Sequence, residues 1–414
     1  MKLVEAILNE MKNISKPQKK FFILLMKTIV SMHGHVTFSG LSRYSCASEK
    51  LFRRWFKRSF DFIEFNSRAI DRVIETGAEV IGVFDQSFIS KSGKQTYGRG
   101  TFWNGSDSRA EKGLELGVCA LVDVNKKTAY TLLAKQTPPD GEIKKNGIDS
   151  NTQLTRIDSY LDVIKAACAT LHRYTKTLVF DGYFAKKKFV DGIVAMGFTF
   201  IGKLRSDANL WMFYSGKQRK GRGRPKKFAG KCNLKNLEGF DYAFSAIDDE
   251  GNIDQIHQGI FHQPSLDIPA KVVAIVAKHG NRVGVALLFS TNLSLSAEAI
   301  VRYYKARFQI EFLFRDAKQF AGLCDCQSRS KSSLYFHQNA AMSGLNLMKI
   351  QVQKDEPNRP IGTPFSAASC KIKNYNKTLI DRFFSMLGFD LNLIKYSTAY
   401  CECVEYGVVK WVRS

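Results

Sequence analysis

Three acidic residues stand where the chain could gather them for one piece of chemistry. Asp85 and Asp181 each follow a short apolar run, Val80 to Phe84 and Leu178 to Phe180. Runs of that kind predict strands, so both aspartates are expected at strand ends. If the two strands are neighbours in one sheet, their carboxylates emerge side by side. Glu311 belongs to a segment with helical periodicity from Ser296, a candidate N-cap with Glu298 in the first turn, to about Phe320. A helix packed on that sheet would bring the third carboxylate to the same point. Three converging carboxylates suit hard cations with oxygen ligands, Mg²⁺ with Mn²⁺ as a substitute. Two such ions ~3.5–4 Å apart activate an attacking oxygen and stabilise the leaving one in phosphoryl transfer. A single strand-end Asp is usually a turn residue; the conjunction of two with a Glu helix carries the reading.

The same helical segment holds Tyr304, Arg307 and Lys318. Tyr304, Glu311 and Lys318 are each seven residues apart, which drifts only ~20° per step around a straight helix. Arg307 precedes Glu311 by four and joins that face. Ile300, Tyr303, Ile310, Leu313, Phe314 and Ala317 remain to anchor the helix on a sheet.

The spacing Tyr304-x2-Arg307-x3-Glu311-x6-Lys318 resembles the signature of bacterial insertion-sequence transposases of the DDE type, in the subgroup with a β-strand insertion between the second Asp and the Glu. Val179-Phe180-Asp181-Gly182-Tyr183-Phe184 is similar to that family's second-aspartate motif. Phe84-Asp85-Gln86-Ser87, followed by the Lys- and Gly-rich stretch from Lys91 to Gly113, is similar to its first. The resemblance covers roughly residues 80 to 350. It implies a ribonuclease-H-like α/β fold, with Asp85, Asp181 and Glu311 as catalytic metal ligands. It also implies that Tyr304, Arg307 and Lys318 meet transposon-end phosphates, Lys318 at a 5′ phosphate. Arg and Lys suit that work, since they position DNA without reading sequence. Members of the subgroup often hold a flipped base against an aromatic residue. Trp211 is the candidate here and Trp103 a second one, although core packing is the commoner role for either tryptophan alone.

Around these residues the chain divides by pattern. Residues 1–75 read as helices, a candidate DNA-binding region. Within it, Phe38 to Tyr44 and Ser48 to Phe60 resemble a helix-turn-helix. The second helix would carry Lys50, Arg53, Arg54 and Lys57 along one side, with Leu51, Trp55 and Phe56 packed inward. Residues 76–205 read as the first part of a mixed α/β core, with a hairpin over Leu114 to Val122 and Thr128 to Leu133. Residues 206–290 read as an all-β insertion; the 311 − 181 = 130 residues between Asp181 and Glu311 accommodate it. Residues 291–355 return to the core, and 356–414 form an irregular tail with a helical piece near Lys377 to Leu387, a candidate dimerisation segment.

The chain carries 62 Lys+Arg against 38 Asp+Glu, a net charge of +24 over 414 residues. Such an excess calls for a polyanionic partner. It is also concentrated: no acid interrupts Ala208 to Leu237, where Arg222, Arg224, Lys226 and Lys227 lie. There Gly221-Arg222-Gly223-Arg224-Pro225 resembles an AT-hook core, whose arginines enter a narrow minor groove. A generic phosphate-binding loop fits nearly as well. Nine cysteines form no disulfide-dense framework, the start lacks a secretory apolar region, and no apolar stretch is long enough for a bilayer. A reduced, cytoplasmic setting is the expectation. No P-loop pattern and no serine or cysteine triad is recognisable.

The resulting expectation is an Mg²⁺-dependent transposase acting as a dimer on double-stranded DNA: the terminal inverted repeats of its own element, and the target. Cut-and-paste movement is what the family implies. A nuclease or resolvase on the same fold, and a non-enzymatic DNA-binding descendant, are the rival readings.

Overall fold

The computed structural model describes residues 2–139, 154–218, 221, 224–247, 251–279, 282–360 and 362–409. The chain opens with helices α1 (Lys2–Glu10), α2 (Lys16–Ser31), α3 (Phe38–Arg43), α4 (Glu49–Trp55) and α5 (Phe62–Ile70). Ser15, Thr37 and Asp61 cap α2, α3 and α5 by accepting backbone N–H groups two or three residues into each helix. Next come strands β1 (Val80–Ser90), β2 (Gly100–Asn104), β3 (Arg109–Asp123) and β4 (Thr128–Thr137). Helix α6 (Arg156–Tyr174), strand β5 (Thr177–Val179), helix α7 (Lys187–Ala195) and strand β6 (Thr199–Leu204) follow. A run of strands succeeds them: β7 (Trp211–Phe213), β8 (Phe228–Lys231), β9 (Asp241–Ile247), β10 (Ile253–Gln263), β11 (Ile268–His279) and β12 (Arg282–Ser290). Helices α8 (Ala297–Ala306), α9 (Gln309–Phe320), α10 (Lys331–Asp355), α11 (Ala367–Met386), α12 (Leu391–Ile394) and α13 (Thr398–Val404) complete the chain.

The strands form one mixed sheet, ordered β2-β3-β1-β5-β6-β12-β11-β10-β7-β8, with β4 paired to β3 and β9 to β10. At its centre β5 lies parallel to both β1 and β6, and β3 runs antiparallel to β1. This is a mixed α/β architecture of the ribonuclease-H-like kind expected from sequence. The strands over 206–290 are continuous with that sheet, because β12 hydrogen-bonds to β6 from Leu287↔Leu204 to Ser290↔Ile201.

Both faces of the sheet are covered. Phe84, Leu178 and Phe200 pack with Tyr160, Ile164 and Phe189 of α6 and α7. Ile81, Val83, Val179 and Ile201 pack with Ile300, Ile310, Leu313 and Phe314 of α8 and α9. Strand alternation then decides the fate of the aspartates: Asp85 follows Ile81 and Val83 at even steps and so faces α8–α9.

Helix α10 runs through the middle, and every residue from Phe336 to Ile350 is buried. Phe336 meets Phe56 at 4.7 Å and Phe62 at 5.2 Å, which ties the N-terminal helices to the core. A Cβ on Gly344 would lie 2.8 Å from Ile29, so glycine lets α2 approach α10. The polar side chains of α10 close the free edge of β4. Asn339 accepts from Ala134 N at 2.9 Å and donates to Ala134 O at 2.8 Å. Asn346 does the same to Thr131, at 3.0 and 2.8 Å. Lys349 Nζ donates to Ala129 O at 2.9 Å. The replacement Asn346→Ala strands two buried backbone groups of β4. It should cost about 2–4 kcal/mol of stability in urea denaturation, and a loss below about 0.5 kcal/mol would remove Asn346 from the edge closure.

Four expectations from sequence need correction. The segment 296–320 is two helices: α8 stops at Ala306 and α9 starts at Gln309. At the joint the bonding tightens to i→i+3, with Ile310 N on Arg307 O and Glu311 N on Phe308 O, both 3.0 Å. Asp85 is not at a strand end, because β1 continues to Ser90 opposite Gly113. The basic helix ends at Trp55, so Lys57 lies past it. The tail is helical from Ala367, where Ser366 caps α11 by accepting Ser369 N at 3.2 Å.

Candidate active site

Strand register sets the first two carboxylates beside each other. Between parallel β1 and β5, Gly82 pairs with Leu178 and Val83 with Val179, a constant offset of 96 residues. Asp181 follows two residues after β5 ends, at the same offset from Asp85 (181 − 85 = 96), and its carboxylate is near enough to raise that of Asp85. Neighbouring strands lie about 4.8 Å apart. Their close fit depends on Gly82, where a Cβ would meet Leu178 Cδ2 at 2.3 Å. Asp181 keeps an extended backbone (φ −72°, ψ 165°) and then caps the turn Gly182–Phe184.

The α8–α9 joint supplies the rest. Tyr304 Oη donates to Asp181 Oδ1 at 3.4 Å. The Arg307 guanidinium reaches Asp85 Oδ2 with Nη1 at 3.5 Å and Glu311 Oε1 with Nη2 at 3.1 Å. Asp85, Asp181, Tyr304, Arg307 and Glu311 therefore form one network drawn from β1, the end of β5 and the joint. The Arg307 side chain is 10 % exposed, Asp85 19 % and Glu311 44 %. The network is graded from a closed inner end to an open outer one.

Burial dominates the electrostatics. It pushes the Asp85 carboxyl up to about 7; Arg307 and the Gln86 N–H oppose this, while Asp181 and Glu311 add to it. Burial alone would lower Arg307, but Asp85, Tyr304, Asp181 and Glu311 outweigh it and hold its guanidinium above the ordinary value. Burial raises Tyr304 to about 12, with Asp181 reinforcing and Arg307 opposing. One guanidinium therefore undercompensates three carboxylates. Its own Nε is buried and has no hydrogen-bond partner among the described residues.

That donor set fits a hard divalent cation in kind: carboxylate oxygens, excess negative charge and an open side at Glu311. In this arrangement the carboxylates are engaged by Arg307 and Tyr304. Among the described residues no group of three or more His, Cys, Asp and Glu side chains is gathered tightly enough to hold a metal ion.

The other residues singled out from sequence lie apart from this network. Burial lowers the pKa of Lys318, with the Cys324 thiol as its electrostatic neighbour. Lys50, Arg53, Arg54 and Lys57 are exposed. Arg53 is engaged by Glu49 at 3.2 Å and lies over Phe38 at 4.8 Å. Leu51 is half-buried while Trp55 and Phe56 are buried, as the helical pattern required. Arg224, Lys226 and Lys227 are exposed just before β8. The Lys226 backbone is fixed by the Gln218 amide through two 2.9 Å bonds. Arg222 lies outside the described residues. Trp211 is half-buried against Phe228 at 5.7 Å, its indole N–H buried and without a partner among the described residues, whereas Trp103 is 61 % exposed.

Sequence reasoning passed over an aromatic pair beside Glu311. Phe308 and Phe312 are 46 % and 36 % exposed and meet edge to face at 5.1 Å, with Arg315 over Phe312 at 4.7 Å. Their i, i+4 spacing on the polar side of the helix was the available signal.

No curated protein matches the chain. Residues 151–343 match the model of the family described as transposase DDE domain. The matched stretch contains Asp181, Tyr304, Arg307, Glu311 and Lys318, and Asp85 precedes it. That stretch of the chain is similar to a transposase DDE domain.

Proposed function

We propose that this chain is a transposase that cuts and joins the ends of its own mobile element, with Asp85, Asp181 and Glu311 as the catalytic carboxylates. The observation that carries the proposal is the convergence of Asp85 on β1 with Asp181 just past the end of parallel β5, Arg307 reaching Asp85 and Glu311 while Tyr304 donates to Asp181. Divalent ions, Mg²⁺ in the first instance, would be held by those three residues and would supply Lewis-acid activation of an attacking oxygen.

The side chains of the network have separable parts. In the resting arrangement Arg307 neutralises Asp85 and Glu311. A phosphodiester entering from the open Glu311 side competes for its guanidinium, whose planar fork suits two phosphate oxygens. Tyr304, held protonated by burial and Asp181, keeps a hydroxyl donor at the same place. Lys318, nearly two helical turns beyond Glu311, extends the basic path along α9. The reaction breaks a P–O bond by attack of water and leaves a 3′ hydroxyl. That hydroxyl then attacks a phosphodiester of another strand and releases its 3′ oxygen, so the number of P–O bonds is conserved in the joining step. Two copies of the chain would pair two element ends. The helices of residues 1–75, the basic segment before β8 with Arg222 and Arg224, and Trp211 would serve DNA binding.

The deciding experiment uses a duplex with the inverted repeat that flanks the reading frame, a supercoiled target plasmid and Mg²⁺. Nicked end product and end–plasmid joints are the expected result. Cutting without joining would make the chain a nuclease; binding without either would make it a DNA-binding protein only. A second measurement concerns α4. Replacing Arg53, Arg54 and Lys57 by Ala should flatten the slope of log K against log[salt] by up to about 2–3. Arg53 contributes least because Glu49 already engages it. An unchanged slope would take α4 out of the interface.

A further inference from the structure

The β2–β3 hairpin is two-faced, and only one face is explained by the fold. In an antiparallel ladder, directly opposed residues share a face. Phe102 is paired with Glu111 and Asn104 with Arg109. Phe102 is 1 % exposed, with the Arg156 guanidinium 4.9 Å over its ring. On that same face Glu111 accepts from Asn104 at 2.8 Å and pairs with Arg109 at 2.6 Å. This side fixes the hairpin to the body and consumes its acids.

The other face presents Trp103 opposite Ala110 and Thr101 opposite Lys112. Thr101, Trp103, Ala110 and Lys112 are all exposed, Trp103 at 61 %. No acid engages Lys112 among the described residues. An indole this exposed, with an ammonium on its own face and the carboxylates turned away, is matched to an anionic partner that also offers flat apolar surface. Duplex DNA has both, in its phosphates and in the sugar faces that line its grooves.

We infer that this face of the β2–β3 hairpin is a second DNA contact, on the duplex flanking the cut and not at the cut itself. The inference rests on the DNA-processing reading above. Register supplies the separation. Asp85 is opposite Val118 and Trp103 is opposite Ala110, so the two positions lie 118 − 110 = 8 residues apart along continuous β3. At about 3.3 Å per residue this is roughly 26 Å. The length corresponds to about eight base pairs at 3.4 Å each. Trp103 is therefore too distant to hold a base displaced at the scissile phosphate, which removes it from the role that the resemblance suggested. It serves as an apolar anchor on the flanking duplex, with Lys112 on a phosphate beside it.

The test uses the full chain and a 40-base-pair duplex carrying the flanking inverted repeat. Binding is followed by fluorescence anisotropy, and protection by hydroxyl-radical footprinting. Trp103→Ala should weaken binding about tenfold, and Trp103→Phe far less. Trp103→Ala should also erase one patch of protection displaced from the nick by up to about eight base pairs. Lys112→Ala should weaken binding and lower the salt slope by about 1. Equal affinity and an unchanged footprint for Trp103→Ala would overturn the inference. So would loss of self-association with DNA affinity intact, which would make the face a contact between copies. If the unaltered chain binds no DNA, the transposase reading fails first, and that result is distinct from either.

Discussion

Asp181→Asn and Glu311→Gln chains are expected to bind end DNA as the unaltered chain does and to nick it on the order of 10³-fold more slowly. Carboxylate-bound ions supply several kcal/mol of charge stabilisation to a phosphoryl-transfer transition state, and each 1.36 kcal/mol is tenfold in rate. Each substitution keeps the size of the side chain while removing a charged ligand oxygen. The geometry makes the two variants unequal in their side effects. Among the described residues Asp181 accepts only the Tyr304 hydroxyl, at 3.4 Å, and an Asn oxygen can still accept it. Glu311 is one of two carboxylates on Arg307, and its replacement leaves Asp85 as the remaining partner. Arg307 should then shift toward Asp85, visible as a lowered Asp85 pKa without loss of fold. Nicking is read by gel in Mg²⁺ and in Mn²⁺, with affinity measured in Ca²⁺. A variant that cuts within tenfold of the unaltered chain would show that its carboxylate is not a catalytic ligand.

How much of this site was legible beforehand depends on the range of each interaction. The apolar runs before Asp85 and Asp181 and the spacing of Tyr304, Arg307 and Glu311 are local patterns, and the structure brings those five residues together. The joint at Arg307–Phe308 was not legible. No Pro or Gly marks it, and periodicity across it is too nearly helical to reveal a change to i→i+3 bonding. The pairing of β12 with β6 joins residues more than eighty positions apart, which no local signal encodes. The same holds for Asn339 and Asn346. On a helix buried all round they look like misplaced polar residues until the edge of β4 is seen against them. Arg222 lies outside the described residues, so the AT-hook resemblance stays a reading of sequence alone.

Asp85→Asn should make the metal-free protein more stable at pH 8, even though it breaks the contact with Arg307. Two effects compete: the ion pair with Arg307 favours a charged Asp85, and burial disfavours it. Burial wins, since the carboxyl is raised from 3.8 to about 7. For an acid raised on folding, the folded state holds its proton where the unfolded state has released it. Stability then falls as pH climbs from about 4 to about 7, and the penalty is complete above 7. At about 1.36 kcal/mol per pH unit, the gap from 3.8 to about 7 amounts to roughly 4 kcal/mol. Asparagine is neutral throughout and escapes that penalty. In EDTA the variant's unfolding free energy should exceed that of the unaltered chain by up to about 4 kcal/mol at pH 8, and the difference should narrow by about 3 kcal/mol at pH 5. Added Mg²⁺ at pH 8 should stabilise the unaltered chain more than the variant, because ions binding only the folded state draw on the charged carboxylate. Urea denaturation at the two pH values, with and without Mg²⁺, reads all of these. A variant less stable than the unaltered chain at pH 8 would show that the Arg307 bridge outweighs burial. Asp85 would then be an ion-pair partner holding the joint, charged and settled before any metal arrives.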